Sequence, residues 1–417
     1  METRKRSAYG WKDAGMLLAV VLALALSSGL KAHAADYDVA AHTDPINLTP
    51  EVRAAEGRFY DMDYDGALRQ FEAIMKAHPN DPMAIDYVQK TLIIRELYRQ
   101  DLMDTTYYAH DSFLTSKRRV DIPQATRDRI EALTDQAIAL CDSEIKANPT
   151  DKNAYFARGY ARGMHAVLIT LADHSFVAAA RQGLASRNDS EQALKIDPNY
   201  ADAKMAIGIQ EFAVASLPRF LRFMVGIAGI GGNKQRGLEL LREAAADGVV
   251  TPVEAKTALA LFLRHDSKYS EAIQVERELV AEYPHNYLFH LELANLTKDI
   301  GNGPAAIALY KVVIANGHRS GYFVEPRLHM AYFGLADTER GQNQLQEAAQ
   351  DYLNAAAQPG CTEWIRRRAQ LNAGEVLDLL HDRAAAVRQY ELASAGGEDQ
   401  SQADAARRYL KTPYTGK

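Results

Sequence analysis

Five residues near the start of the chain match a complete ligand set. Asp61, Asp63 and Asp65 alternate, Gly66 follows, and Glu72 closes the series. A hard cation such as calcium takes its oxygens in that order, from carboxylates at alternate loop positions, with a glycine for the sharp turn and a bidentate glutamate at the end. The other candidates are incomplete. Gly226, Gly229, Gly231 and Gly232 with Lys234 suggest a phosphate loop, but such a cradle opens from a strand and an apolar helical stretch precedes this one, so a bent connection between helices is expected. His110-Asp111, His265-Asp266 and His381-Asp382 are adjacent pairs. Neighbours on a helix point in different directions, so these read as solvated helix-end residues rather than acid–base couples. There is no His-Glu-x-x-His, nucleophile elbow or Cys-x-x-Cys, and no enzyme is expected.

The elements that must carry these residues are of one type. Apolar residues recur at three- and four-residue spacing, and alternating Val/Ile/Thr runs are nearly absent, which predicts an all-α chain. Punctuation falls at Pro79-Asn80-Asp81, Asn148-Pro149-Thr150, Asp197-Pro198-Asn199 and Tyr283-Pro284-His285, and at Gly248, Gly317 and Gly360. Ahead of these stops a pattern repeats: Ala67 with Phe71, Ala137 with Cys141, Gly237 with Leu241, Ala272 with Leu279, Ala306 with Tyr310, Ala348 with Tyr352, and Ala386 with Tyr390. Gly237 to Ala272 is 35 residues and Ala272 to Ala306 is 34. Small residues stand twelve earlier at Ala55, Ala260, Ala294 and Gly374, where two helix backbones can approach while the later aromatic fills the gap to the next pair.

This pattern resembles the tetratricopeptide repeat, and the junction from Ala193 to Ala203 is similar to that family's almost letter for letter. The resemblance implies a TPR-like right-handed α-solenoid of helix-turn-helix repeats. Residues 82 to 135 and 160 to 190 fit helices but not the spacing and are read as irregular inserts, and the turn before Ala348 is read as lengthened. The Asp61–Glu72 stretch fits the turn and second helix of a repeat equally, and a lone EF-hand loop is unusual because such hands come in pairs. The repeat is the expected reading, with no cofactor, although a weak calcium at Asp61, Asp63 and Asp65 is compatible with both.

A narrower resemblance covers residues 200 to 317. Gly208-Ile209-Gln210-Glu211-Phe212, Ser216-Leu217-Pro218, Gly237-Leu238-Glu239-Leu240-Leu241 and Glu282-Tyr283-Pro284-His285-Asn286 look like the central block of the inclusion-body-clearance, tetratricopeptide-39-like group. That similarity implies a non-enzymatic adaptor with a lipid connection.

Compartment is read from the first 34 residues. Arg4, Lys5, Arg6 and Lys12 precede an apolar run from Met16, and Ala32-His33-Ala34 follows, which is the order of a signal peptide cleaved near Ala34. The run to Leu30 is 15 residues long, short of the roughly 20 that span a bilayer, so cleavage is expected over a retained anchor. Losing residues 1–34 removes five Lys or Arg and two Asp or Glu and turns the formal charge from −6 to −9. An acidic periplasmic or secreted protein without a basic stripe is not expected to bind nucleic acid. Cys141 and Cys361 stand too far apart in a repeat array for a disulfide to be expected. The organisation read is a signal peptide over 1–34, an extended segment over 35–48, repeats with inserts over 49–247, and repeats with a capping helix over 248–417.

A solenoid of this kind offers a groove and no closed pocket, so the expected function is an exported scaffold or adaptor that binds a protein or peptide partner through its concave groove. A carrier of an apolar, lipid-like ligand, or a peripheral membrane-associated adaptor, is the alternative. Groove candidates are Phe156 and Tyr160 around Gly159, Met205, Ile209 and Phe212 around Gly208, and Leu261 beside Ala260. They are apolar, which predicts recognition of an apolar or helical segment. Pro218 should break the stretch from Phe212 to Gly232 into a helix end and a short second helix. There Arg219 and Arg222 beside Phe220 and Phe223 suit a lipid or membrane surface, although inward packing of these rings is the favoured expectation.

Overall fold

In the computed structural model, residues 38–104, 120–217, 222, 231–395 and 400–416 are described. The signal segment lies outside them, as do His110-Asp111, Arg219, Phe220 and Phe223.

Residues Asp38 to His42 form one unit, a 3-10 turn over Val39–His42. From Thr43 onward the chain begins with a second 3-10 turn, Pro45–Leu48, which Asp44 caps by accepting from the Ile46 amide. The segment expected to be extended is therefore turned, because Pro45 fixes the first backbone angle and Asp44 satisfies the free amide.

Seventeen α-helices follow among the described residues, and no strand. They are α1 (Pro50–Tyr60), α2 (Tyr64–Ala77), α3 (Pro82–Arg99), α4 (Gln124–Ala147), α5 (Lys152–Leu171), α6 (Phe176–Ile196), α7 (Lys204–Ser216), α8 (Lys234–Asp247) and α9 (Pro252–His265). Then come α10 (Tyr269–Glu282), α11 (Tyr287–Asp299), α12 (Gly303–Gly317), α13 (Leu328–Gly341), α14 (Leu345–Ala357), α15 (Glu363–Leu379), α16 (Arg383–Ser394) and α17 (Gln400–Lys411). Their starts are written locally. Thr49, Asp63, Asp81, Asp151, Asn233, Asn286, Asn302 and Asp382 each accept a hydrogen bond from an amide of the following first turn. Pro stands in the first turn of α1, α3, α9 and α12, where its missing N–H costs nothing.

Consecutive helices pair, and five pairs share one turn. Met62, Ser267, Gly301, Asn343 and His381 all have left-handed φ, and each stands two residues beyond the first helix and two before the second. His381-Asp382 is thus a turn residue followed by a cap. The turn before Ala348 has the same length as the others, contrary to the expectation of a lengthened one. The extra residues lie between pairs, at 318–327, where Phe323 turns inward against Tyr287.

Ala67, Ala137, Ala272, Ala306, Ala348 and Ala386 are all fully buried where second helices meet first helices. Gly208 and Gly237 let two helix backbones approach, since a Cβ on Gly237 would stand 2.7 Å from the Gly208 carbonyl oxygen. Tyr310 fills the space above Gly334 of the next pair, where an added Cβ would fall 2.6 Å from the ring. Within the stretches read as inserts, residues 82–99, 124–135, 160–171 and 176–190 belong to long helices that pair in the same way, α3 with α4 and α5 with α6. One continuous core runs from Ile46 to Leu335.

Candidate functional site

The array is not an open groove, because α3 lies inside it. Fifteen of its eighteen residues are buried, including Asp86, Gln89, Lys90, Thr91 and Glu96. Polar groups taken from water must be paired, and most of these are. Lys90 Nζ lies 2.8 Å from Glu56 Oε1 on α1 and 3.5 Å from Glu254 Oε1 on α9, and it stands 4.3 Å above the Phe59 ring. Tyr60 donates to Glu254 Oε2 at 2.7 Å. Gln89 Nε2 donates to Thr134 Oγ1 and to the Ala161 carbonyl. Asp86 has no protein partner, and burial first, then Asp81, push its carboxyl well above the usual range.

The end of α3 and the loop after it are seated on the second half of the chain. Tyr98 donates to the Glu325 carbonyl at 2.7 Å. Asp101, in a left-handed conformation and buried, accepts from Arg327 Nε, faces His329 Nε2 at 2.8 Å and accepts from Thr362 Oγ1 at 2.7 Å. His329 Nδ1 is buried without a partner, so Nε2 is the nitrogen that carries the proton to Asp101. Burial raises the Asp101 carboxyl, but the bonds and charges of His329 and Arg327 outweigh it and hold the group at about 2. Asn295 Nδ2 reaches Asp104 at 3.3 Å. Arg327, His329 and Thr362 stand at the N-terminal ends of α13 and α15, and Asn295 is on α11. The contact is with the first helices of successive pairs.

An acidic cavity of about 160 Å³ opens elsewhere. Three of its carboxylates, Asp44, Asp81 and Asp151, are helix caps, and Glu144 on α4 joins them. Burial and the other three carboxylates push Glu144 up to about 7.

The sequence candidates fall into different places. Phe156, Tyr160 and Phe212 are core side chains: Phe156 meets the Tyr200 ring at 5.0 Å, and Phe212 stacks on Phe262 at 4.2 Å. Met205, Ile209 and Leu261 are half-buried. Neighbouring helices cover the aromatic three. The calcium-type residues do not converge. Asp63 caps α2 and pairs with Arg58, Asp65 pairs with Arg95 and Arg99, and Glu72 pairs with Arg129. Among the described residues no group of three metal-ligating side chains gathers. Of the membrane candidates only Arg222 is described, and it donates to the Ala215 carbonyl at 3.0 Å. Helix α7 stops at Ser216, with Leu217 extended ahead of Pro218, as the steric demand of a following proline requires. No helix among the described residues is long and apolar enough to cross a membrane. Cys141 and Cys361 are buried and unbonded.

Sequence reasoning missed the Asp101 receptor. Asp101 stands more than 200 residues from both Arg327 and Thr362, and no local spacing joins it to them.

Helix pairs of about 34 residues, joined through a small residue on each helix and an aromatic on the second, define an array of the tetratricopeptide repeat type. No family model matches the chain, and no curated protein matches it. Among solved structures it is similar to yeast Tom70, at 11% identity over 87% of each chain with a TM-score of 0.40. It is also similar to pilF of Pseudomonas aeruginosa, at 15% identity over 60% of this chain and 96% of that one with a TM-score of 0.38. A human IFIT1 dimer with PPP-AAAA is similar at 12% identity, over 87% and 81%, with a TM-score of 0.42. At these scores the likenesses carry no argument about function.

Proposed function

We propose that the chain is an exported, non-enzymatic scaffold of the cell envelope that binds a protein or peptide partner through the inner face of its helix pairs. One observation carries the reading: the first helices α11 and α13, with the start of α15, already hold a peptide segment, Tyr98–Asp104, through side-chain donors to its carboxylates and an apolar floor. A face built to order one segment has the chemistry to order another. The N-terminal signal supports export, and the fixed pairing of Glu56 with Lys90 and of Asp101 with its donors supports binding over catalysis.

Native mass spectrometry of the form purified from its source, combined with cross-linking, tests this. The reading expects a mass that begins near Ala35, a protein or peptide bound, and cross-links to α11 or α13. A co-purified lipid in place of a peptide, or cross-links confined to other faces, would overturn it.

A further inference from the structure

We infer that Tyr98–Asp104 is a built-in plug, the cis occupant of a peptide site whose trans ligand is a short acidic peptide that pairs a carboxylate with flanking apolar side chains. The inference rests on the scaffold reading and names the ligand class of that face.

The receptor is complete without the plug. Arg327, His329 and Thr362 bring three donors to one point, from the N-terminal ends of two helices whose free amides also favour an anion. Their bound carboxylate, that of Asp101, is fully screened from water. One turn away Asn295 meets the second carboxylate, that of Asp104. Between them the floor is apolar: Leu288, Leu291 and Met330 face Tyr98 and Met103. The site therefore reads two features, a carboxylate held from three sides and an apolar neighbour.

The plug is fastened differently from the rest of α3. Residues 82–97 pack among α2, α4 and α5 and belong to the core. Beyond Arg99 the helix ends, and Asp101 takes a left-handed φ of 55°, a conformation that disfavours a residue with a Cβ. That turn is held by the three donors and by the amide of Leu102 to the Leu97 carbonyl. A competing carboxylate peptide would take over the same donors and leave α3 in place. A ligand seated in cis lowers apparent affinity for one in trans by the fraction of time the site is open.

The experiment uses the mature full chain and a fluorescein-labelled peptide of residues 97–104, followed by fluorescence anisotropy. Asp101→Ala empties the receptor, and the milder Asp101→Asn loosens its hold on the plug without altering any receptor residue. Removing a charge-assisted contact should raise the open fraction, and with it peptide affinity, by roughly tenfold or more over the unaltered chain. The same peptide carrying Asp101→Asn should bind more weakly, and adding Arg327→Gln to Asp101→Ala should abolish the gain. If folded Asp101→Ala takes up the peptide no better than the unaltered chain, the plug is structural and the inference fails. If that variant does not fold, Asp101→Asn in the full chain decides, since it loosens the plug and leaves every receptor residue intact: tighter peptide binding supports the plug, and unchanged binding overturns it. Native mass spectrometry of the unaltered protein tests the scaffold reading separately, so a failure here leaves that result standing.

Discussion

Asp101 and Thr362 stand 261 residues apart and share a hydrogen bond of 2.7 Å, which ties the end of the third helix to the start of the fifteenth. An array whose repeats touch only their neighbours could not make that contact. Removing Asp101 leaves Arg327 and the buried His329 without their shared anion. Asp101→Ala should cost about 3 kcal/mol or more, the range for breaking a buried pair from one side. Urea unfolding measures it, and a loss below about 1 kcal/mol would mean that the node is solvated. Because the folded value of Asp101, about 2, lies below its ordinary 3.8, its contribution is complete above that range and fades as pH falls from about 4 towards 2. The Asp101→Asn chain should lack that acid dependence.

Lys90 and Glu56 form a second test of enclosure, since both are buried and face each other at 2.8 Å. Lys90→Met alone leaves Glu56 buried and unpaired and should destabilise by roughly 3 kcal/mol. Lys90→Met with Glu56→Leu should regain more than half of that, because an apolar pair of similar volume fills the site without the desolvation cost. A double variant less stable than either single one would show that Glu254 and Tyr60 depend on the pair for their own placement.

Glycine pairs separate packing from propensity. Gly237→Ala should cost about 1 to 3 kcal/mol, because its new methyl would meet the Gly208 carbonyl and the Phe212 amide, backbone atoms that cannot step aside. Gly183→Ala sits on a helix with nothing within 4 Å of the added methyl and should stabilise by roughly 0.5 to 1 kcal/mol. Thermal melts of the two chains should move in opposite directions.

Glu144 gives the cavity its pH dependence. Burial and three neighbouring carboxylates raise it from 4.5 to about 7, so its folded form binds the proton more tightly than the unfolded chain does. Its contribution is complete below about 4.5 and is lost as pH climbs through about 7. Glu144→Gln should flatten the fall in stability across that window, and a variant whose stability still drops as steeply between pH 5 and 8 (roughly the window of titration) would assign the effect elsewhere.

The repeat itself was legible because it is local. Ala67, Ala272, Ala306 and Ala386 mark backbone contacts, and a small residue at a fixed step can be read without knowing what surrounds it. Helix α3 was not legible as a central element. Asp86, Gln89, Lys90 and Glu96 mimic a solvated face, and only the partners of Gln89 and Lys90 on α1, α4, α5 and α9 reveal that this face is enclosed. The same enclosure explains Phe156, Tyr160 and Phe212. Position in the repeat placed them on the inner side, while the helices that cover them come from outside their own repeats or from the next pair. The turn carboxylates Asp61, Asp63 and Asp65 satisfied a ligand spacing, but a cap and three arginine pairs draw Asp63 and Asp65 to different neighbours.

Hydrogen exchange of the mature protein, read by mass spectrometry over residues 82–99, tests most directly whether the inner face is filled by the chain itself. A helix buried all round should open only with global unfolding, so these amides should be among the slowest in the molecule and should slow no further when the plug is held. If they exchange on the timescale of exposed helix ends while α10 to α14 stay protected, the inner face is open and the account is wrong.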